Sequence, residues 1–173
     1  MYDSLKGSFG VRPPGKGAYY GEVDARSAIG LDPLADDYQK LRSEGYQMEM
    51  IAAGSESIPF ADGYFDIVAS FNSLDHVDDL DETISEIKRV VCPGGYFLLL
   101  TDVNHKATLC EPIEFGWEIA QAFTDVLEIV EEQRFEKPVA NMYQSIRTNT
   151  PYDMENKTHR YGVTSLKFRK PLE

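Results

Sequence analysis

A chain of 173 residues is the size of one domain with one core. Its 29 acidic residues outweigh 17 basic ones, and a net charge of −12 argues against nucleic acid or an anionic membrane surface as partner. No apolar run reaches the roughly 18 residues that cross a bilayer, and Met1 to Gly15 lacks the apolar block of a secretory leader, so a cytoplasmic protein is expected.

Short apolar runs alternate with helical segments, the pattern of an α/β fold with a mainly parallel sheet. Ser27 to Leu31 reads as a strand stopped by Asp32-Pro33. Leu34 to Gly45 reads as a helix, with Leu34, Tyr38 and Leu41 at helical spacing. Gln47 to Ala52 reads as a second strand, and Ala61-Asp62-Gly63 as a turn. Phe65 to Phe71 is apolar almost throughout, as in a strand buried on both faces. Leu80, Ile84, Ile87 and Val91 then mark one face of a helix, capped by Asp78 or Asp79 and ended by Pro93-Gly94-Gly95. Tyr96 to Leu100 completes a strand–helix–strand crossover. Phe115 to Phe123 reads as a helix packed through Trp117, and Leu127 to Phe135 and Tyr161 to Phe168 as strands. The alternation in the last of these suggests a place nearer the sheet edge. The polar stretch 136–160 between them has no strong period. Its Tyr143, Arg147, His159 and Arg160 are candidates to cover a substrate.

In an open α/β sheet, ligands bind at the carboxyl ends of the strands. Those ends are polar here: Asp32, then Gly54, Ser55 and Glu56, then Asn72, Asp75 and His76, then Asp102, Asn104 and His105. Four polar ends beyond apolar strands predict a lined cleft. Asp32 offers two acceptor oxygens in one plane, suited to a ribose diol, and also suits the cap of the following helix. His76 and His105 are candidate general bases, with a capping or supporting role as the alternative for His76. Asp102, His105 and Cys110 match no familiar metal spacing, and Cys92 and Cys110 form neither a disulfide framework nor a zinc motif, so no metal site is expected.

The runs AIGLDP, ESIPFADGYFDIVASFNSLDHVDD and EIKRVVCPGGYFLLLTD, in this order, resemble class I methyltransferases that use S-adenosylmethionine. The likeness is close over residues 27 to 104. It implies a single methyltransferase-like domain over residues 1 to 173. The implied fold is a Rossmann-like three-layer αβα sandwich with seven strands, mainly parallel, and an antiparallel last strand. It also implies S-adenosylmethionine across the strand ends: Asp32 on the ribose with Pro33 beside it, Gly54, Ser55 and Glu56 around the adenine, and Asn72 under the methionine. Many relatives carry an aspartate at the adenine, where Ser55 or a backbone group must serve here.

The N-terminus departs from that pattern. Helices that open the relatives have no counterpart, and Ser8 to Gly17 (SFGVRPPGKG) is the nearest match to the glycine loop. Gly10 stands at the acidic position, Arg12 and Pro14 at or near glycines, and only Gly15 and Gly17 remain to approach the cofactor. Arg12 or Lys16 are the alternatives for meeting the methionine carboxylate. Two functions follow. One is methyl transfer to a small molecule, with oxygen as the acceptor atom. The other is a non-catalytic or truncated relative serving as a partner subunit or homodimer, with apolar surface exposed where helices are missing. A nicotinamide oxidoreductase would share Asp32 but needs an intact GxGxxG.

Overall fold

The computed structural model describes residues 8–12, 16–17, 23–24, 27–37, 49–137 and 142–172. In chain order these give strands β1 (Ser8–Arg12), β2 (Lys16–Gly17), β3 (Val23–Asp24), β4 (Ser27–Leu31), β5 (Glu49–Ile51) and β6 (Phe65–Phe71). Helix α1 (Leu80–Val90), β7 (Val91–Val103), a 3-10 helix (Trp117–Phe123), β8 (Glu128–Glu136), α2 (Met142–Thr148) and β9 (Gly162–Arg169) follow. One sheet has the order β5-β4-β1-β6-β7-β9-β8, and β2 and β3 pair separately.

Within that sheet β4, β5, β6, β7 and β8 run one way. As expected, β9 is antiparallel to both its neighbours. It lies between β7 and β8 rather than nearer the edge, which belongs to β8. The charged alternation of β9 misled because Lys167 places its ammonium over the Tyr96 ring, 4.7 Å from the centroid.

The larger departure is β1. It pairs antiparallel with β4 and β6, with Ser8 beside Leu31 and Ser70, and Arg12 beside Ser27. The chain therefore leaves β1 at the end of the sheet opposite Asp32. Gly10 sits within β1 and Gly17 in β2, while residues 13–15, Gly15 among them, lie outside the described residues. A five-residue strand has no local signal for its direction. Pairing with neighbours decides it.

Helix α1 forms where its periodicity places it. Asp79 is the N-cap, its Oδ1 accepting the Glu82 N–H at 3.0 Å, and Asp81 and Glu82 in the first turn oppose Lys88 and Arg89 in the last. Ile84, Ile87 and Val90 are buried against Phe97, Leu99, Phe123 and Phe168. Burial of each such side chain contributes roughly 1.5–3 kcal/mol. On the opposite face, Met142 and Ile146 of α2 pack on Phe135, Val163 and Leu100, while Ala28, Met50, Phe71 and Leu98 gather around Ala69. Helices on both faces make three layers. The strand β7 begins straight after α1, so Pro93-Gly94-Gly95 forms an irregularity inside the strand: Phe65 pairs with Val91 but Ile67 with Tyr96. Residues 35–37 are helical, and the rest of the helix expected to Gly45 lies outside the described residues. Helix α2 was not expected, because seven residues with two buried contacts give no readable period.

Candidate functional site

Asp32 follows β4 directly and is 6% exposed. Its own N–H donates to the Ile51 carbonyl at 3.1 Å, and its Oδ1 accepts the Leu34 N–H at 2.8 Å. The first bond ties Asp32 to β5, and the second makes an Asx turn. Both readings of Asp32 hold together: it shapes the turn, and its Oδ2 takes no partner among the described residues. Burial raises its carboxyl above the ordinary range, against the smaller pull of the Leu34 N–H.

Beside it opens a cleft of about 490 Å³, within the usual size of small-molecule sites. Asp32, Pro33, Gly54, Ser55, Glu56, Ser70, Ser73 and His76 line it together with apolar Leu31 and Leu74. Of the residues expected there, Asp32, Pro33, Gly54, Ser55, Glu56 and His76 come together. Glu56 is committed elsewhere: its Oε1 accepts the Asp78 N–H at 2.8 Å and pins the turn before α1. Ser55 bonds Thr83 across to α1 at 3.0 Å. Asn72 is not in the lining. It turns the chain at the end of β6 with φ +53° and donates its N–H to Leu100 at 2.7 Å. Asn104 does the same after β7 with φ +60°, a conformation asparagine tolerates.

His105 lies behind this cleft, at the end of β7, and is joined to it through Asp75. Leu74–His76 is a short 3-10 turn that buries Asp75 to 1% exposure and brings its carboxylate between two rings. His105 Nε2 is 3.5 Å from Asp75 Oδ2, and His76 Nε2 is 3.6 Å from Asp75 Oδ1. Glu111 Oε1 is 3.9 Å from His76 Nε2. The loop 104–116 folds Glu111 back here through Asn104 N–H to Phe115 O and Thr108 N–H to Glu111 O, both 2.9 Å. Asp102, 7% exposed, bonds Lys137, and burial holds its carboxyl above the usual range despite that ammonium. The expected single lined cleft is thus a cleft at β4–β6 joined through His76 to a buried cluster at β6–β7.

Sequence reasoning missed Glu111 and Lys137, which no spacing links to His76 or Asp102. Of the residues expected to cover a substrate, Arg160 is engaged in structure. It bonds Glu136 at 2.6 Å and lies over the Tyr152 ring, 4.0 Å from its centroid.

Comparison with known proteins decides the family. Residues 14–99 match the model of a methyltransferase domain. The chain belongs to the class I methyltransferase family. It is 38% identical over 64 residues to the ubiquinone/menaquinone biosynthesis C-methyltransferase UbiE of Shewanella piezotolerans, 36% of this chain and 26% of that protein. Over 94 residues it is 30% identical to the chloroplastic tocopherol O-methyltransferase of Arabidopsis thaliana, 52% of this chain and 27% of that one. The chain thus spans about a quarter of the length of these relatives. Its fold matches a SAM-dependent methyltransferase from Methanosarcina mazei with a TM-score of 0.57 at 18% identity, covering 84% of this chain and 82% of the other.

S-adenosylmethionine is the methyl donor of this methyltransferase family. The residues present fit it at the nucleoside end: a carboxylate oxygen that takes no partner among the described residues stands on a cleft of suitable size. The backbone amides that a glycine loop would offer to the methionine carboxylate are not supplied by Gly17, given the direction of β1. Among the described residues no helix is long and apolar enough to cross a membrane.

Proposed function

We propose that this chain binds S-adenosylmethionine in the Asp32 cleft and transfers its methyl group to a small-molecule acceptor at the Asp75–His76–His105 end. The observation that carries the reading is Asp32, held at the tip of β4 with Oδ2 left for a ligand. Its carboxylate is positioned for the ribose hydroxyls, and Leu34 and Ile51 fix it before the ligand arrives. Pro33, Gly54 and Ser55 then flank the adenine, with Glu56 shaping the wall through Asp78. When bound, the cofactor supplies a methyl group made electrophilic by its sulfonium. Loss of the acceptor's proton falls to the Asp75–His76–His105 group, because His76 lines the cleft and Asp75 joins it to His105. An oxygen acceptor is favoured, since an imidazole–carboxylate group suits a hydroxyl proton. The cleft and Asp32 support catalysis over service as a non-catalytic partner subunit.

Calorimetric titration of the chain with S-adenosylmethionine and S-adenosylhomocysteine tests the reading. Micromolar affinity is expected. Asp32→Ala should weaken it by roughly ten- to a hundredfold for each ribose bond lost. A folded chain that takes neither compound at millimolar concentration overturns the proposal.

A further inference from the structure

The buried cluster is arranged in a way that general-base chemistry alone does not require. His105 Nδ1 lies 3.1 Å from the Lys106 carbonyl oxygen, and His76 Nδ1 bonds the Cys110 carbonyl oxygen. A carbonyl only accepts, so the His105 Nδ1 carries the N–H and its Nε2 is the ring nitrogen turned inward, 3.5 Å from Asp75 Oδ2. Asp75 is 1% exposed and its Oδ1 has no hydrogen-bond partner among the described residues. His105 is 6% exposed and its Nε2 has none either. Buried polar atoms without partners cost stability, which a bound ligand would recover.

We propose that the space between these atoms is a site for a divalent transition-metal ion, held by Asp75, His105 and Glu111. Metal bonds of about 2.0–2.2 Å in a tetrahedral site separate neighbouring ligand atoms by roughly 3.3–3.6 Å. The His105–Asp75 separation of 3.5 Å has that spacing. Asp75, His105 and Glu111 each bring a ligand atom within 4.8 Å of the others. A backbone carbonyl on the far ring nitrogen is the support that metal-binding imidazoles use. The charges also agree. Lys137 neutralises Asp102, which leaves Asp75 and Glu111 as two negative charges for one divalent cation. Mixed imidazole and carboxylate donors favour a zinc-, iron- or manganese-type ion over magnesium or calcium. Sequence spacing did not show the site because its ligands come from a 3-10 turn, a strand end and a loop.

A catalytic role for the ion rests on the methyl-transfer reading, whereas the site itself does not. Glu111, at 38% side-chain exposure, is the ligand an acceptor hydroxyl replaces. On the ion that hydroxyl becomes more acidic, and its proton passes to His76, which lines the cleft and is not a ligand. The hydroxyl oxygen then forms the O–C bond as the C–S bond of the cofactor breaks, leaving S-adenosylhomocysteine.

The test is optical. The chain is stripped with EDTA and titrated with Co²⁺ alone. About one equivalent should bind with the strong visible absorption of four-coordinate cobalt, and Zn²⁺ should displace it. His105→Gln should abolish the band, and Glu111→Gln should weaken Co²⁺ at least tenfold with circular dichroism and melting temperature unchanged. Cys110→Ser and Asp32→Ala should leave the band intact. Absence of the band at millimolar Co²⁺ overturns the site. So does a band that survives Glu111→Gln at full affinity or disappears with Cys110→Ser. Cobalt uptake by a chain that binds no S-adenosylmethionine supports the site and overturns the transfer reading, and the reverse result does the opposite.

Discussion

Around Arg89, at the end of α1, all five guanidinium N–H groups have acceptors. Nε donates to Glu86, one terminal nitrogen to the Phe60 carbonyl and Asp62, and the other to the Ile58 carbonyl and Glu86, all between 2.6 and 2.9 Å. Glu86 in turn accepts the Ile58 N–H at 2.7 Å. Around Asp75, comparable side chains are buried more deeply, yet Asp75 Oδ1, Asp102 Oδ1 and His105 Nε2 lack partners among the described residues. The first network fastens residues 58–62 to helix α1. The second leaves buried polar atoms without partners among the described residues. A satisfied polar network stabilises a fold, whereas an unsatisfied one costs stability that only a function recovers.

The comparison breaks most readily at Arg89. Arg89→Ala should destabilise the chain by about 2–4 kcal/mol in urea, since it leaves Glu86 and two carbonyls without their donor. A cost within 0.5 kcal/mol would show that the network is decorative. Asp75→Asn should cost less than about 1 kcal/mol or stabilise, because it removes an uncompensated buried charge. A large loss there would erase the contrast between the regions.

Acid sharpens the same contrast, with opposite signs. Arg89 lowers the Glu86 carboxyl below its ordinary 4.5, so that pair contributes stability above 4.5 which is lost as pH falls through the folded value. The gap between the parent chain and Arg89→Ala should therefore close below pH 4.5. Burial raises Asp32 above 3.8, so its contribution is fully present below 3.8 and is lost as pH rises through the folded value. Asp32→Asn should thus melt at an equal or higher temperature than the parent at neutral pH, with the difference vanishing in acid. The smallest effect is expected at the surface pair of Glu132 and Arg134 on β8, where Glu132→Gln should change stability by under about 0.5 kcal/mol.

Legibility in the sequence followed the range of the interaction. Helix α1 was readable because its spacing, its Asp79 cap and its end charges are all local. Asp32 was readable for the same reason, since the Asp-Pro turn sits directly after an apolar strand. Strand β6 and the parallel β6–α1–β7 crossover followed from continuous apolar runs on either side of a helical period. The 3-10 form of Trp117–Phe123 was not visible, since the apolar spacing of so short a segment fits either helix.

By itself, then, the sequence determined the strand and helix segments, the polar strand ends and the motif order of the methyltransferase family. Those depend on period, caps and turn chemistry within a few residues. Tertiary structure alone decided that β1 runs against its neighbours, that β9 lies inside β8, and that Asp75, His105 and Glu111 come within reach of one another. Strand direction is set by hydrogen bonds to partners far along the chain, and a buried cluster by which loops the core brings together, so neither leaves a local signature.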